Sequence, residues 1–165
     1  MSAMTLASAF VALCCAVPVA AQNAKNPAAP TTTGVYVAVL EGGYAVPPAE
    51  TRAGGTAELT WTGKELRYRL RVDGISNVTG AFVHIGRAGQ EAPAVADLFD
   101  GFKAGPVSGV LAQGTLAGTR VHGTKMARLL RALREDNAYV TVHTPAHPDG
   151  EIRGQLRRQP TVAHR

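Results

Sequence analysis

The side chains with chemical reach gather in two short runs, Ala81 to Ile85 and Ala138 to Leu156, the latter reading AYVTVHTPAHPDGEIRGQL. Between them they hold His84, Tyr139, His143, His147, Glu151 and Arg153. Such a set offers hydrogen bonding, charge pairing, and imidazoles able to take a proton or a metal ion. What they can do depends on whether they share a face. Side chains alternate across a strand, so Ala138, Val140 and Val142 lie on one side, with Tyr139, Thr141 and His143 on the other. In the second half of the run Ile152 and Leu156 oppose Glu151, Arg153 and Gln155. Both apolar faces must enter the same core, because a slip of one residue would bury the charges. The polar faces then coincide, and Tyr139, His143, Glu151, Arg153 and Gln155 are expected on one outward surface.

The same parity in Val78 to Ile85 turns Val83 and Ile85 inward, with Phe82 and His84 outward. A phenylalanine beside a histidine on an outer face calls for a cover, and the glycine-rich Gly86 to Pro106 segment is the candidate. In the plainest reading His84 and His143 are hydrogen-bonding residues at strand ends. Glu151 and Arg153 then form cross-strand polar pairs worth roughly 0.2–1 kcal/mol each.

The remaining elements follow from local pattern. Thr144 to Gly150, with Pro145, Pro148 and Asp149-Gly150, reads as a hairpin loop. Gly34 to Glu41 is a β-type run, and Val46-Pro47-Pro48 a rigid connection, since adjacent prolines remove donors and fix φ. Thr56 to Thr62 presents Ala57, Leu59 and Trp61 on one face, and Glu65 to Val72 answers with Leu66, Tyr68, Leu70 and Val72. Arg67, Arg69 and Arg71 point to solvent, where charge discourages edge pairing. Asp73 to Asn77 reads as a turn cluster, and Ala94 to Phe99 and Val107 to Leu116 as short strands. Met126, Leu129, Leu130 and Leu133 recur at helical spacing, which predicts one helix over Thr124 to Asp136 with Thr124 as its cap. Arg128, Arg131 and Arg134 take its outer side. His122 and His164 have no partner motif and read as solvent histidines.

At 165 residues the chain is one domain's worth. Its net charge of +5 is scattered rather than clustered with aromatics, which argues against nucleic-acid binding. Residues 1–21 are expected to be a secretory signal peptide, with the apolar run Leu6 to Val17 and small residues Val19-Ala20-Ala21 at the cleavage position. That run is too short to span a membrane, and the segment before it carries no Lys or Arg. Cleavage near Ala21 removes Cys14 and Cys15, leaving a secreted or periplasmic chain without disulfides and without a transmembrane segment. Residues 22–33 read as a disordered, proline-bearing linker, 34–157 as the domain, and 158–165 as a basic tail within a frayed Arg157 to Arg165. No phosphate loop, serine elbow or HExxH helix is present in the sequence.

Four pieces in order carry a family resemblance. They are Val46-Pro47-Pro48 with Thr51 and Gly54-Gly55, Ala81-Phe82-Val83-His84 with Gly86 and Gly89, Tyr139 to Thr144, and Pro148-Asp149-Gly150-Glu151-Ile152-Arg153-Gly154-Gln155. The sequence resembles the CHRD domain, the module named from chordin and found singly in exported bacterial proteins. The resemblance covers about Gly34 to Leu156. It implies an all-β fold, an immunoglobulin-like or superoxide-dismutase-like Greek-key β-sandwich with one short helix here, of about seven or eight strands. The family has no well-established enzymatic activity, and in chordin-type proteins it belongs to growth-factor antagonists. Three positions depart from its pattern: Ala45 stands where Glu is usual before Val-Pro-Pro, Phe82 replaces the first histidine of a His-x-His, and Ala92-Pro93-Ala94 replaces Gly-Pro-Val.

The dismutase-like likeness implies imidazoles on the outer face under long loops, which suits His84 and His143. His147 would add a third nitrogen and Glu151 an oxygen, a set that copper or zinc accepts. Phe82 removes the most obvious further donor. The leading expectation is a non-enzymatic binding or structural module with no firm cofactor. Its extracellular or envelope partner would meet Phe82, Tyr139, Glu151 and Arg153 around the two histidines. The alternative is a copper- or zinc-binding protein using His84, His143 and His147.

Overall fold

The computed structural model describes residues 33–117 and 120–160. The expected signal peptide, nearly all of the linker, and His164 lie outside them. Alternation drives the first three strands. β1 (Gly34–Glu41), β2 (Gly54–Trp61) and the start of β3 (Leu66–Ile85) run antiparallel, with Gly34 opposite Trp61 and Trp61 opposite Leu66. Tyr36, Ala38, Leu40, Ala57, Leu59, Trp61, Leu66, Tyr68, Leu70 and Val72 are all buried, while Arg67, Arg69 and Arg71 face solvent as predicted. Each such buried leucine or valine contributes about 1.5–3 kcal/mol relative to exposure.

Asp73 to Asn77 does not end the strand. β3 continues through it for 20 residues, with register shifts between Val72 and Ile75 and between Ser76 and Val78. Gly74 (φ 65°) and Asn77 (φ 56°) adopt the left-handed conformation there, so residues read as a turn instead form bulges that bend the ladder without breaking it. The two short strands expected after it are likewise one, β4 (Ala94–Leu116), which accompanies β3 along its length.

Because β4 occupies one edge of β3 throughout, the other edge is shared. β2 pairs with its first half and β5 (Ala138–His143) with its second. β5 pairs with β6 (Ile152–Gln155), and β6 reaches β1 at Arg153 opposite Glu41. The pairing path thus returns to its start, and the sheet closes on itself as an all-β barrel-like body. β7 (Arg157–Arg158) continues the β6 register against Val37 and Tyr36, and Gln159 N–H donates to Val35 O at 2.8 Å. The tail expected to fray from Arg157 therefore begins as paired strand.

Helix α1 (Met126–Arg134) closes the core with Leu129, Leu130, Ala132 and Leu133, and its three arginines are exposed as expected. Its cap is Lys125, not Thr124, and it makes no side-chain cap bond. Thr124 sits one residue too early, and its hydroxyl is buried without a partner. Among the described residues no helix is long and apolar enough to cross a membrane.

Candidate functional site

β3, β5 and β6 lie side by side, and their registers build two cross-strand rows. His84 opposes Tyr139, which opposes Gln155; Phe82 opposes Thr141, which opposes Arg153. The intervening residues Val83, Val140, Val142 and Ile152 are fully buried in the core. The histidines lie on the face away from the valines, as strand alternation predicts.

Outward does not mean exposed, however. His84 is 8 % exposed, Arg153 4 % and Tyr139 2 %. Residues 86–93, the first part of the segment expected to act as a cover, lie over them. His84 Nδ1 meets Ala92 O at 2.7 Å, and Ala92 N–H donates to the Tyr139 hydroxyl at 2.9 Å. Arg153 Nη2 donates to Gln90 O at 2.7 Å and Arg87 O at 3.1 Å, with its guanidinium 3.6 Å from the centre of the Tyr139 ring. Gln155 Nε2 donates to Gly86 O and Asp136 O. The rest of the expected cover, from Ala94, is strand. Phe82 is half-buried, its ring edge-on to His143 at 5.2 Å.

The centre of the face is a linear hydrogen-bonded chain. His84 Nε2 lies 2.8 Å from Thr141 Oγ1, which lies 2.7 Å from His143 Nε2, while His143 Nδ1 meets Pro148 O at 2.7 Å. Each Nδ1 faces a carbonyl and must carry a hydrogen, leaving both Nε2 atoms directed at one hydroxyl. Two neutral rings and the hydroxyl supply three hydrogens for four gaps. The fully satisfied chain holds one further positive charge. Burial pulls the His84 pKa below its ordinary 6.5, against the pull of its bond to Ala92; the neighbouring His143 and Arg153 lower it further. Burial also raises the Tyr139 pKa, opposed by the Arg153 charge, and lowers that of Arg153.

Two expected members of the surface are elsewhere. Glu151 does not pair with Arg153; its carboxylate accepts from the Thr51 and Thr144 hydroxyls, each at 2.7 Å, tying the connection after β1 to the β5–β6 loop. His147 is held by backbone bonds to Thr144 and lines no cavity with the other two histidines. Among the described residues no three His, Cys, Asp or Glu side chains are grouped to hold a metal ion. The donors that do converge are two imidazole nitrogens and the Thr141 hydroxyl, an incomplete set for a dismutase-like centre. Nδ1 atoms anchored on carbonyls are nevertheless the usual support of imidazoles that ligate through Nε2. His122 is solvent-exposed as expected, but it has a partner, Asp97 at 2.8 Å.

Thr141 and the Ala92 carbonyl are the participants that sequence reading missed. Parity put Thr141 on the correct face, but only the β3–β5 register places it between two histidines.

Two cavities adjoin this face. One of about 370 Å³ is lined by His84, Tyr139, Thr141 and His143, with Glu91 and Asp149 among its other residues. A second of about 690 Å³ has a largely apolar lining that includes Val37, Val39, Tyr44 and Pro48. Ala45, Val46 and Arg153 line both, so the guanidinium stands at the boundary between them.

The sequence profile of the CHRD domain matches residues 36–156. No curated protein and no solved structure gives a significant match. The matched span runs from the third residue of β1 to the residue after β6, taking in the strands that close the sheet and every residue of the His84–Thr141–His143 chain. The chain belongs to the CHRD domain family.

Proposed function

We propose that this CHRD domain is a non-enzymatic binding module, exported by its N-terminal segment, whose ligand enters the cleft over β3, β5 and β6. One observation carries the reading. Arg153 is almost wholly buried at the junction of two cavities, yet none of the ion pairs among the described residues includes it. A buried charge is ordinarily paired, so an opposite charge from outside the domain suits the site. Glu91 influences Arg153 electrostatically without reaching ion-pair distance. The test is thermal unfolding of the purified protein against a panel of small anions, cations and neutral amphiphiles. A subset should raise the midpoint, and Val46→Trp, at a half-buried position that lines both cavities, should abolish the rise. A panel without effect, or one indifferent to that substitution, would end the proposal. Export predicts that protein recovered from the periplasm or medium begins at about Gln22.

The convergence of both Nε2 atoms on Thr141 favours a second reading, in which copper or zinc supplies the missing positive charge and His84 and His143 are its nitrogen ligands. Metal analysis of protein purified from its own host separates the two. Stoichiometric metal, lost in both His84→Ala and His143→Ala, supports it; metal-free protein whose stability ignores chelation removes it.

A further inference from the structure

The paired cavities define a ligand class, and this step rests on the cleft reading above. We infer that the cleft takes a single-chain amphipathic carboxylate, its head on Arg153 and its apolar chain in the larger cavity. At about 690 Å³ that cavity lies within the range of small-molecule sites, roughly 300–1,000 Å³. Its walls join Val37, Val39, Tyr44, Val46 and Pro48, and Val39 and Tyr44 are each 57 % exposed. Such apolar area open to water gains from being covered.

Charge sets the orientation. Both Arg153 bonds to the covering loop leave from Nη2, so Nε and Nη1 have no hydrogen-bond partner among the described residues. A guanidinium edge matches a carboxylate in geometry, and stacking on Tyr139 holds its plane. Arg157, paired with Asp136 at 3.4 Å, also lines the larger cavity, whereas Glu91 and Asp149 line the smaller one. An anion is thus attracted to the boundary and repelled beyond it, which leaves its apolar part on the Val39 side. One buried guanidinium balances a monoanion.

Decanoate is the probe, titrated calorimetrically into the purified chain, with decanol and acetate as comparisons. Decanoate should bind saturably at one per chain, at least tenfold tighter than either. Arg153→Gln and Val39→Asp should each weaken it tenfold or more. Should Arg153→Gln fail to fold, Val39→Asp and Tyr44→Ser carry the test, since both positions are exposed. Decanol binding as tightly as decanoate, or decanoate affinity unchanged by Val39→Asp and Tyr44→Ser, would overturn the inference. So would flotation with anionic phospholipid vesicles in place of decanoate binding. If decanoate fails while another compound gives Val46→Trp-sensitive stabilisation, the ligand class falls and the cleft reading stands. If nothing stabilises the protein, both fall.

Discussion

Thr141 decides how the outer face behaves, because one hydroxyl serves two imidazoles. Removing it leaves both Nε2 atoms without that partner in a largely covered site. Thr141→Val should lower unfolding stability by about 1–3 kcal/mol, the cost of an unsatisfied buried polar group, while Thr141→Ser stays closer to wild type. Urea unfolding of the two variants checks it. His84 adds a pH dependence. Its folded pKa lies below the ordinary 6.5, so as pH falls through that value the unfolded chain takes a proton that folded His84 refuses. Its contribution is present above 6.5 and declines from there down to the folded pKa. In chelator-treated protein the urea midpoint should therefore fall between about pH 7 and pH 5, and less steeply in His84→Gln. Facing polarity was legible in the sequence, because a one-residue slip inverts every side chain. The Thr141 bridge was not, because His84 and Thr141 stand 57 residues apart and meet only through strand register.

At the scale of elements, the sequence marked strands well and their ends poorly. The β2–β3 hairpin and the helix were legible because each pattern spans several periods of its own repeat. The bend in β3 was not, since Asp73-Gly74 and Asn77 are as suited to a bulge as to a reversal; what decides is whether a neighbour continues the ladder, and β4 does. Glu151 was misassigned for a related reason. Parity fixes a side, but the loop that carries Thr51 fixes the partner. The helix makes the contrast between faces measurable. Leu133 is fully buried, so Leu133→Ala should cost about 2–5 kcal/mol. Arg131 pairs with Glu135 at 2.8 Å on an exposed face, and Arg131→Ala should change stability by no more than about 1 kcal/mol. Chemical denaturation of the two variants compares them directly.

For the whole molecule, closure of the sheet is what brings the cleft together: β6 carries Arg153 while β1 supplies the apolar floor at Val37 and Val39. The two strands approach closely because residue 154 is glycine. A Cβ there would run into the Val39 carbonyl oxygen and a Leu40 methyl. The backbone carbonyl cannot swing aside as a flexible side chain would, so a larger residue must push β6 away from β1. Gly154→Val should therefore destabilise the fold by about 1–3 kcal/mol, as overpacking does. Its local signature distinguishes it from a general loss of stability. Amides of β1 and β6 should lose hydrogen-exchange protection before those of the β2–β3 hairpin, whose ladder does not pass through the seam. Equal loss of protection in both regions would mean that the ring unfolds as one unit and that the β1–β6 seam has no separate role.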